Sequence, residues 1–239
     1  MLKHKFFGDF SSIFLQILCA RGNSNCCGNF TFFFRKVICW IFNKIGKDLV
    51  RNALKKLLEV RWHGRGGQGA WTASELLARA AINEGKYVQS FPEFGPERMG
   101  APIRAFTRIS DEPIQMHCAV YNPDVVAVLD PSLLKAVPVT EGLDNEGILI
   151  VNSKETPAKI RGIFEIEKRR IWTVPATEIA IKILNRPITN TAMLAAVARV
   201  TGIVSLESLE KVVSKRFSGS IAEKNVGVIK EAYKGIKSE

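Results

Sequence analysis

EVRWHGRGGQGAWTASELLARAAIN, residues 59–83, decides the fold. Glu59–His63 reads as a short strand and Gly64-Arg65-Gly66-Gly67-Gln68-Gly69 as a glycine loop. Ala70–Asn83 reads as a helix, because Ala73, Leu76, Leu77, Ala80 and Ala81 recur at helical spacing on one face. Gly85 closes it. A strand that turns through glycines into an apolar-faced helix is the opening unit of an α/β layer structure.

The pattern continues outward. Tyr87–Phe91 is a second predicted strand, and a loop rich in proline and glycine, Pro92–Pro102, leads to Ile103–Ile109, which alternates as a half-exposed strand should. After a turn at Ser110–Pro113, Ile114–Val120 is expected to return as the partner of an antiparallel hairpin, with Cys118 as a buried apolar filler. Val125–Leu129 and Ile148–Val151 are continuous apolar runs, the signature of strands covered on both faces. Ile171–Val174 is a further strand. Thr177 is placed to cap a helix Glu178–Leu184, and Met193–Val200 is helical to about Gly202. Ser205 caps Leu206–Phe217, and Ser220 to Glu223 form a capping box for the last helix. The expected class is α/β: a three-layer domain with a mixed, largely parallel sheet, a β-hairpin and a helical C-terminal third.

Over 239 residues the chain carries 34 Lys and Arg against 23 Asp and Glu, a net charge of +11 that by itself points to nucleic acid or an anionic membrane. Its distribution removes that reading for residues 59–239. Residues 1–58 hold ten bases and two acids, four of the five cysteines and nine of the fourteen phenylalanines. The other 24 bases face 21 acids, so residues 59–239 are nearly balanced. The chain therefore divides into a basic, Phe- and Cys-rich N-terminal extension, 1–58, and a regular domain, 59–239. Within the extension neither Phe10–Ala20 nor Phe30–Phe42 reaches the roughly 20 apolar residues of a membrane span. No C-x-x-C spacing marks a metal or redox site. No function is assigned to it, and neither nucleic acid nor membrane is an expected partner.

Two loops carry the chemical signal. Gly64-x-Gly66-x-x-Gly69 between strand and helix permits close backbone approach, and the helix N-terminus adds free N–H groups suited to phosphate or carboxylate. Arg65 adds positive charge. The acidic residue that a dinucleotide site places about 20 residues on is missing from the end of the second strand, which runs Gln89-Ser90-Phe91-Pro92. The other loop, FPEFGPERMGAP at 91–102, concentrates Glu93, Glu97 and Arg98 on a backbone stiffened by three prolines, which suits recognition of a ligand or a partner subunit. Gly64, Arg65, Gly66, Gly67, Gln68, Gly69, Glu97 and Arg98 are thus the candidate cofactor-binding or subunit-interface residues, with none assigned as catalytic or as a metal ligand. His63 can equally touch a ligand or bond loop backbone. Asp130, after the apolar strand, is a weaker candidate, and Asn190 reads as a helix cap.

Taken in order, GRGGQGAWTASELLARAA, GKYVQSFPEFGPERMGAPIRAFTRI and YNPDVVAVLDPSLL resemble the gamma subunits of 2-oxoacid:ferredoxin oxidoreductases, in the pyruvate and 2-ketoisovalerate branch. RPITNTAMLAAVARVTGIVSLESLE and AEKNVGVIKEAY agree, so the resemblance covers about residues 59–236. It implies a multisubunit enzyme that oxidatively decarboxylates a 2-oxoacid with coenzyme A, giving acyl-CoA and CO₂ and reducing ferredoxin. It implies alpha, beta and delta subunits as partners, with thiamine diphosphate, Mg and the iron–sulfur clusters on those subunits and coenzyme A arriving near the gamma domain. A reducing, anaerobic cytoplasm follows as the expected compartment. This chain has no C-x₂-C-x₂-C-x₃-C run and no thiamine-type G-D-G with a downstream Asn-Asn pair, so the domain alone is expected to be inactive. The alternatives that the residues leave open are a stand-alone NAD(P)-dependent dehydrogenase and a basic membrane- or nucleic-acid-binding protein.

Overall fold

A computed structural model describes residues 57–93, 99–166 and 168–238. Seven strands form one sheet: β1 (Leu57–Arg65), β2 (Tyr87–Pro92), β3 (Pro102–Ser110), β4 (Val125–Val128), β5 (Ile148–Asn152), β6 (Arg170–Val174) and β7 (Lys237–Ser238), in the order β2-β3-β1-β4-β5-β6-β7. β1, β4, β5 and β6 are parallel, while β3 lies antiparallel to both β1 and β2, and β7 antiparallel to β6. The helices are α1 (Ala70–Asn83), α2 (Leu133–Ala136), α3 (Pro157–Phe164), α4 (Ala176–Leu184), α5 (Asn190–Thr201), α6 (Leu206–Arg216) and α7 (Gly219–Lys234). Among the described residues no helix is long and apolar enough to cross a membrane.

The alternation of each strand sorts its side chains between two cores. Val60, Trp62, Ala105, Ile109, Val125, Ala127, Ile150 and Val174 face a larger core built with α1 and α4–α7. Val126, Val128, Leu149, Val151 and Ile171 face a smaller one with Leu133 of α2 and Ile160 of α3. That is the expected three-layer α/β arrangement, and the apolar runs of β4 and β5 are continuous because both their faces are covered. In α1 the five residues of the expected face are all fully buried, and burying a leucine such as Leu76 contributes about 2 kcal/mol. One polar network crosses this interior. Trp62 Nε1 donates to Thr107 Oγ1 at 2.9 Å, and Ser74 Oγ lies 2.8 Å from Thr107 Oγ1 and 2.8 Å from Ser90 Oγ, fixing α1 in register over β1, β3 and β2.

Several local expectations are corrected. Residues 111–124 form neither helix nor strand, so Ile114–Val120 is not a hairpin arm. β3 already has β1 on one edge and β2 on the other, leaving no ladder to join, and the antiparallel hairpin is β2–β3. The segment instead crosses the sheet as a strap. Gln89 Nε2 donates to Ile114 O and Met116 O, and Arg108 Nη2 donates to Ala119 O. Cys118 is exposed, not a buried filler. β3 is not half-exposed either: Ala105 to Ser110 are all buried, Arg108 included. Thr177 lies inside α4, where its hydroxyl accepts from Asn152 Nδ2 at 2.8 Å instead of capping. Ser220 is likewise inside α7, which starts at Gly219 after Ser218 without a side-chain cap, so no capping box forms. Ser205 does cap α6, accepting from Ser208 N, and Gly202 ends α5 with φ 65°.

Candidate functional site

The parallel strands β1, β4 and β5 place their carboxyl ends along one edge of the sheet, and the turns that leave them diverge there. β1 feeds α1 over the larger core, and β4 feeds α2 over the smaller. The junction between β1 and β4 is thus a topological switch point, where open α/β sheets form their crevice.

β1 runs on to Arg65, and the chain turns through 66–69 into α1. Gln68 N donates to Arg65 O at 3.0 Å, closing the turn. Gly66 N donates to Ala101 O at 2.9 Å and Gly100 N to Gly66 O at 3.1 Å. The glycine loop and the end of the proline-rich loop therefore meet. Glu97 and Arg98, in the middle of that second loop, lie outside the described residues.

Arg65 is turned inward. Its Nε donates to Asp130 Oδ2 at 3.0 Å, Nη1 to Gly100 O at 3.1 Å and Nη2 to Ser132 Oγ at 2.8 Å. Gln68 Nε2 donates to the same Asp130 oxygen at 3.0 Å, while its Oε1 accepts from Arg65 N at 2.8 Å. Burial raises the proton affinity of Asp130, but hydrogen bonds from Ser132 and Gln68, with the charge of Arg65, outweigh it and hold the carboxyl below its usual range. An ion pair of the chain itself thus spans the crevice between β1 and β4.

What stays open is the N-terminus of α1. Gly69 precedes the helix at φ 78°, and a Cβ there would lie 2.7 Å from Asn190 Nδ2, so both backbone and space require glycine. Ala73 N donates to Gly69 O, but the N–H groups of Gly67, Gly69, Ala70, Trp71 and Thr72 have no acceptor among the described residues. Asn190 is the first residue of α5, not its cap. It is 6% exposed, and its Oδ1 accepts from Thr191 N at 2.8 Å, which leaves the Nδ2 donor beside Gly69. Trp71, half exposed, and Met99, almost fully exposed, stand around these donors. The site combines free N–H groups, one amide donor and apolar surface, which suits an anionic group carried on an apolar body.

A sequence model described as pyruvate ferredoxin/flavodoxin oxidoreductase matches residues 59–235. The chain belongs to that family. It is similar to the pyruvate/ketoisovalerate oxidoreductases common subunit gamma of Pyrococcus furiosus, 54% identical over 177 residues that cover 74% of this chain and 96% of that one. To the pyruvate synthase subunit PorC of Methanothermobacter marburgensis it is 50% identical over 181 residues, 76% of this chain and 98% of the other. The crystal structure of pyruvate oxidoreductase subunit PORC from Thermotoga maritima matches with a TM-score of 0.70 at 46% identity, covering 77% of this chain and 99% of that one.

In this chain the glycine motif lacks the surroundings of a dinucleotide fingerprint, and the geometry gives the reason. In a dinucleotide fold the strand after the first helix lies beside β1 and brings its acidic end to the ribose. Here β3 is inserted between β1 and β2. The end of β2 is two strands away, about 10 Å, and Glu93 is held there by Arg104 in a two-pronged ion pair. The dehydrogenase reading is not supported.

Sequence reasoning missed Gly100, Ser132 and the part of Asn190 at Gly69. Only the tertiary fold brings α5 to α1, and no local spacing announces it. Arg61 and Arg108 were also passed over, as polar residues of alternating strands. Both are buried, at 3% and 1% exposure.

Proposed function

We propose that this chain is the gamma subunit of a multisubunit pyruvate or branched 2-oxoacid:ferredoxin oxidoreductase, working with alpha, beta and delta subunits in a reducing cytoplasm. The observation that carries the reading is the 54% identity to a common gamma subunit across 96% of that subunit's length. The enzyme couples oxidative decarboxylation of the 2-oxoacid to acyl-CoA formation and passes two electrons to ferredoxin.

Among the described residues no three His, Cys, Asp or Glu side chains gather to hold a metal ion. We place the Mg of thiamine diphosphate and the iron–sulfur clusters on the other subunits because this sequence has neither the C-x₂-C-x₂-C-x₃-C run nor a G-D-G motif with a downstream Asn-Asn pair. Coenzyme A fits this chain better. The unspent N–H groups of Gly67, Gly69, Ala70, Trp71 and Thr72, together with Asn190 Nδ2, can donate to a phosphate of the cofactor. Trp71 and Met99 offer apolar surface beside it. Arg65 acts by holding the loop to Asp130, Ser132 and Gly100. Coenzyme A supplies the thiol that accepts the acyl group; this chain's part is to bind and orient the anionic portion.

Anaerobic affinity purification of the tagged chain from its host tests the assembly. Thiamine- and cluster-bearing polypeptides are expected to co-elute in fixed ratio, and recovery of the chain alone would sink the reading. In the assembled enzyme, Trp71→Ala is expected to raise KM for coenzyme A several-fold with the KM for 2-oxoacid unchanged. An unchanged coenzyme A KM would remove the cofactor part and leave the subunit assignment standing.

A further inference from the structure

The sheet ends on one side at β7, two residues long, and on the other at β2, six residues long, with no further strand beside it among the described residues. The direction of the β2 main-chain groups follows from its ladder. Glu93 N donates to Arg104 O at 3.0 Å, one step beyond the paired residues Pro92 and Ala105. Hydrogen-bonded pairs alternate in an antiparallel ladder, so Tyr87, Gln89 and Phe91 turn their N–H and C=O groups toward β3. Val88 and Ser90 turn theirs away from the sheet, and Pro92 its carbonyl. These outward groups have no hydrogen-bond partner among the described residues, and Val88 to Pro92 all stay partly exposed.

Both faces of β2 are already taken. Val88 packs on the larger core, and Ser90 Oγ meets Ser74 Oγ of α1. On the other face Gln89 holds the strap of residues 111–124, and the Phe91 ring lies 5.2 Å from that of Phe106. Only the edge is open. Exposed edges are normally guarded by a charge, a bulge or a proline within the strand. Tyr87–Phe91 has none of these: its residues are uncharged, its register with β3 is one to one, and Pro92 comes last. The preceding Lys86 is spent on Asp111. Such an edge is a template for one more strand.

The strand fits a copy of itself. Set antiparallel across a twofold axis at Ser90, each Ser90 N–H reaches the other Ser90 carbonyl, and each Val88 N–H reaches the other Pro92 carbonyl. Every outward donor of both strands is then used, and the proline, which has no N–H, has only to accept. Tyr87 of one copy stands opposite Glu93 of the other in a closely spaced, non-hydrogen-bonded pair. Tyr87 is 49% exposed, and its hydroxyl can donate to that carboxylate, which Arg104 holds in place.

We propose that two copies of this chain associate edge to edge through β2, antiparallel about Ser90, and so join their sheets into one. The pairing rests neither on the subunit reading nor on coenzyme A.

Sedimentation equilibrium of the full chain, with hydrogen exchange read at single amides, tests it. The mass is expected to move from that of one chain to that of two as concentration rises. The Val88 and Ser90 amides should be slowed in the dimer and exchange freely in the dilute monomer. Val88→Pro removes an outward N–H while leaving the β3 ladder intact, since proline is accepted at such edge positions, and should leave the chain monomeric. Should Val88→Pro fail to fold, Tyr87→Glu, at an exposed position, carries the test. It sets like charges opposite each other at both ends of the pairing and should weaken the dimer about tenfold. Tyr87→Lys, which meets Glu93 with the opposite charge, should leave the dimer as tight or tighter. Three results each overturn the proposal: a chain that stays monomeric at every concentration, a dimer that a folded Val88→Pro or Tyr87→Glu leaves unchanged, and equal weakening by Tyr87→Glu and Tyr87→Lys.

Discussion

Gly69 and Asn190, from helices far apart in the sequence, are packed so closely that a methyl group on Gly69 would sit 2.7 Å from the Asn190 amide nitrogen. The contact joins the N-terminus of α1 to that of α5 and leaves the Asn190 Nδ2 donor beside the free N–H groups of the glycine turn. Thr191 extends the connection, donating through Oγ1 to Asn225 Oδ1 at 3.1 Å, and Asn225 Nδ2 donates to Ile221 O at 2.9 Å within α7. Three helices are thereby tied to one glycine.

Gly69→Ala is therefore expected to destabilise the domain by about 1–3 kcal/mol, through a left-handed φ of 78° that alanine resists and through the collision with Asn190. Urea unfolding measures the loss. Asn190→Gly is destabilising by itself because it gives up the bond from Thr191 N, so the collision is read from the cycle: the double variant should lose less than the sum of the two single losses. Identical stability of Gly69→Ala and the unaltered chain would show that the contact is not as tight as described.

The Arg65–Asp130 pair should show itself in acid. The Asp130 carboxyl titrates below its usual range when folded, so it contributes stability that is complete above the unfolded value of about 3.9 and fades as pH falls through the folded value. With side chains 31% and 19% exposed, the pair is partly screened, and Asp130→Asn is expected to cost about 1–2 kcal/mol near pH 7. The gap between Asp130→Asn and the unaltered chain should hold constant from pH 7 to about 5 and close below about 4. A gap that persists unchanged into acid would mean that the carboxylate charge is not what holds the loop.

His63 has the opposite chemistry and a different pH window. Burial, then the charges of Arg61 and Arg104, push its folded value down to about 3, below the usual 6.5, so the unfolded chain binds the extra proton between those limits. Stability contributed by the neutral ring is whole above about pH 6.5 and falls by up to roughly 1.4 kcal/mol per pH unit below it. His63→Gln, which can still accept from Arg61 Nε as the ring does, should flatten the fall between about pH 6.5 and 4.5. Proton NMR of the ring should show no titration near 6.5, and a midpoint there would refute the burial of the histidine.

The parts of the fold set by local pattern were legible in the sequence. Ala70–Asn83 announces its ends through Gly69 and Gly85 and its buried face through Leu76 and Leu77. Val125–Val128 and Ile148–Val151 announce their double burial by lacking polar residues. The misreadings have one physical origin. Ile114–Val120 alternates as well as Ile103–Ile109 does, but only the tertiary arrangement shows that β3 has both edges occupied. The same blindness hid Arg61 and Arg108: a basic residue at every second strand position reads as solvent-facing, and nothing local says that a strap and the 137–141 segment will cover it. Of the site, the glycine loop was visible, because its φ requirement is local. The inward turn of Arg65 was not, because Asp130 and Ser132 reach it only through the parallel pairing of β1 with β4.

Arg108 gives the sharpest test of that hidden layer. It is 1% exposed, its Nε donates to Glu59 Oε1 at 2.8 Å and its Nη1 to Gln89 Oε1 at 3.2 Å, and its guanidinium lies 5.6 Å from the centre of the Phe91 ring. Through Ala119 O it also holds the strap of residues 111–124. Glu59→Gln would leave the guanidinium buried without its carboxylate, and Arg108→Met would leave Glu59 short of its partner and the strap short of its anchor. Each single change should cost about 3 kcal/mol, and the pair together less than the sum, because the second change removes the charge that the first left uncompensated. Unfolding of the four-member cycle gives the coupling, and limited proteolysis should cut first near Met116 in Arg108→Met alone. Additive losses with no new cleavage would mean that the strap and the ion pair are independent, and that Arg108 stabilises the sheet by packing alone.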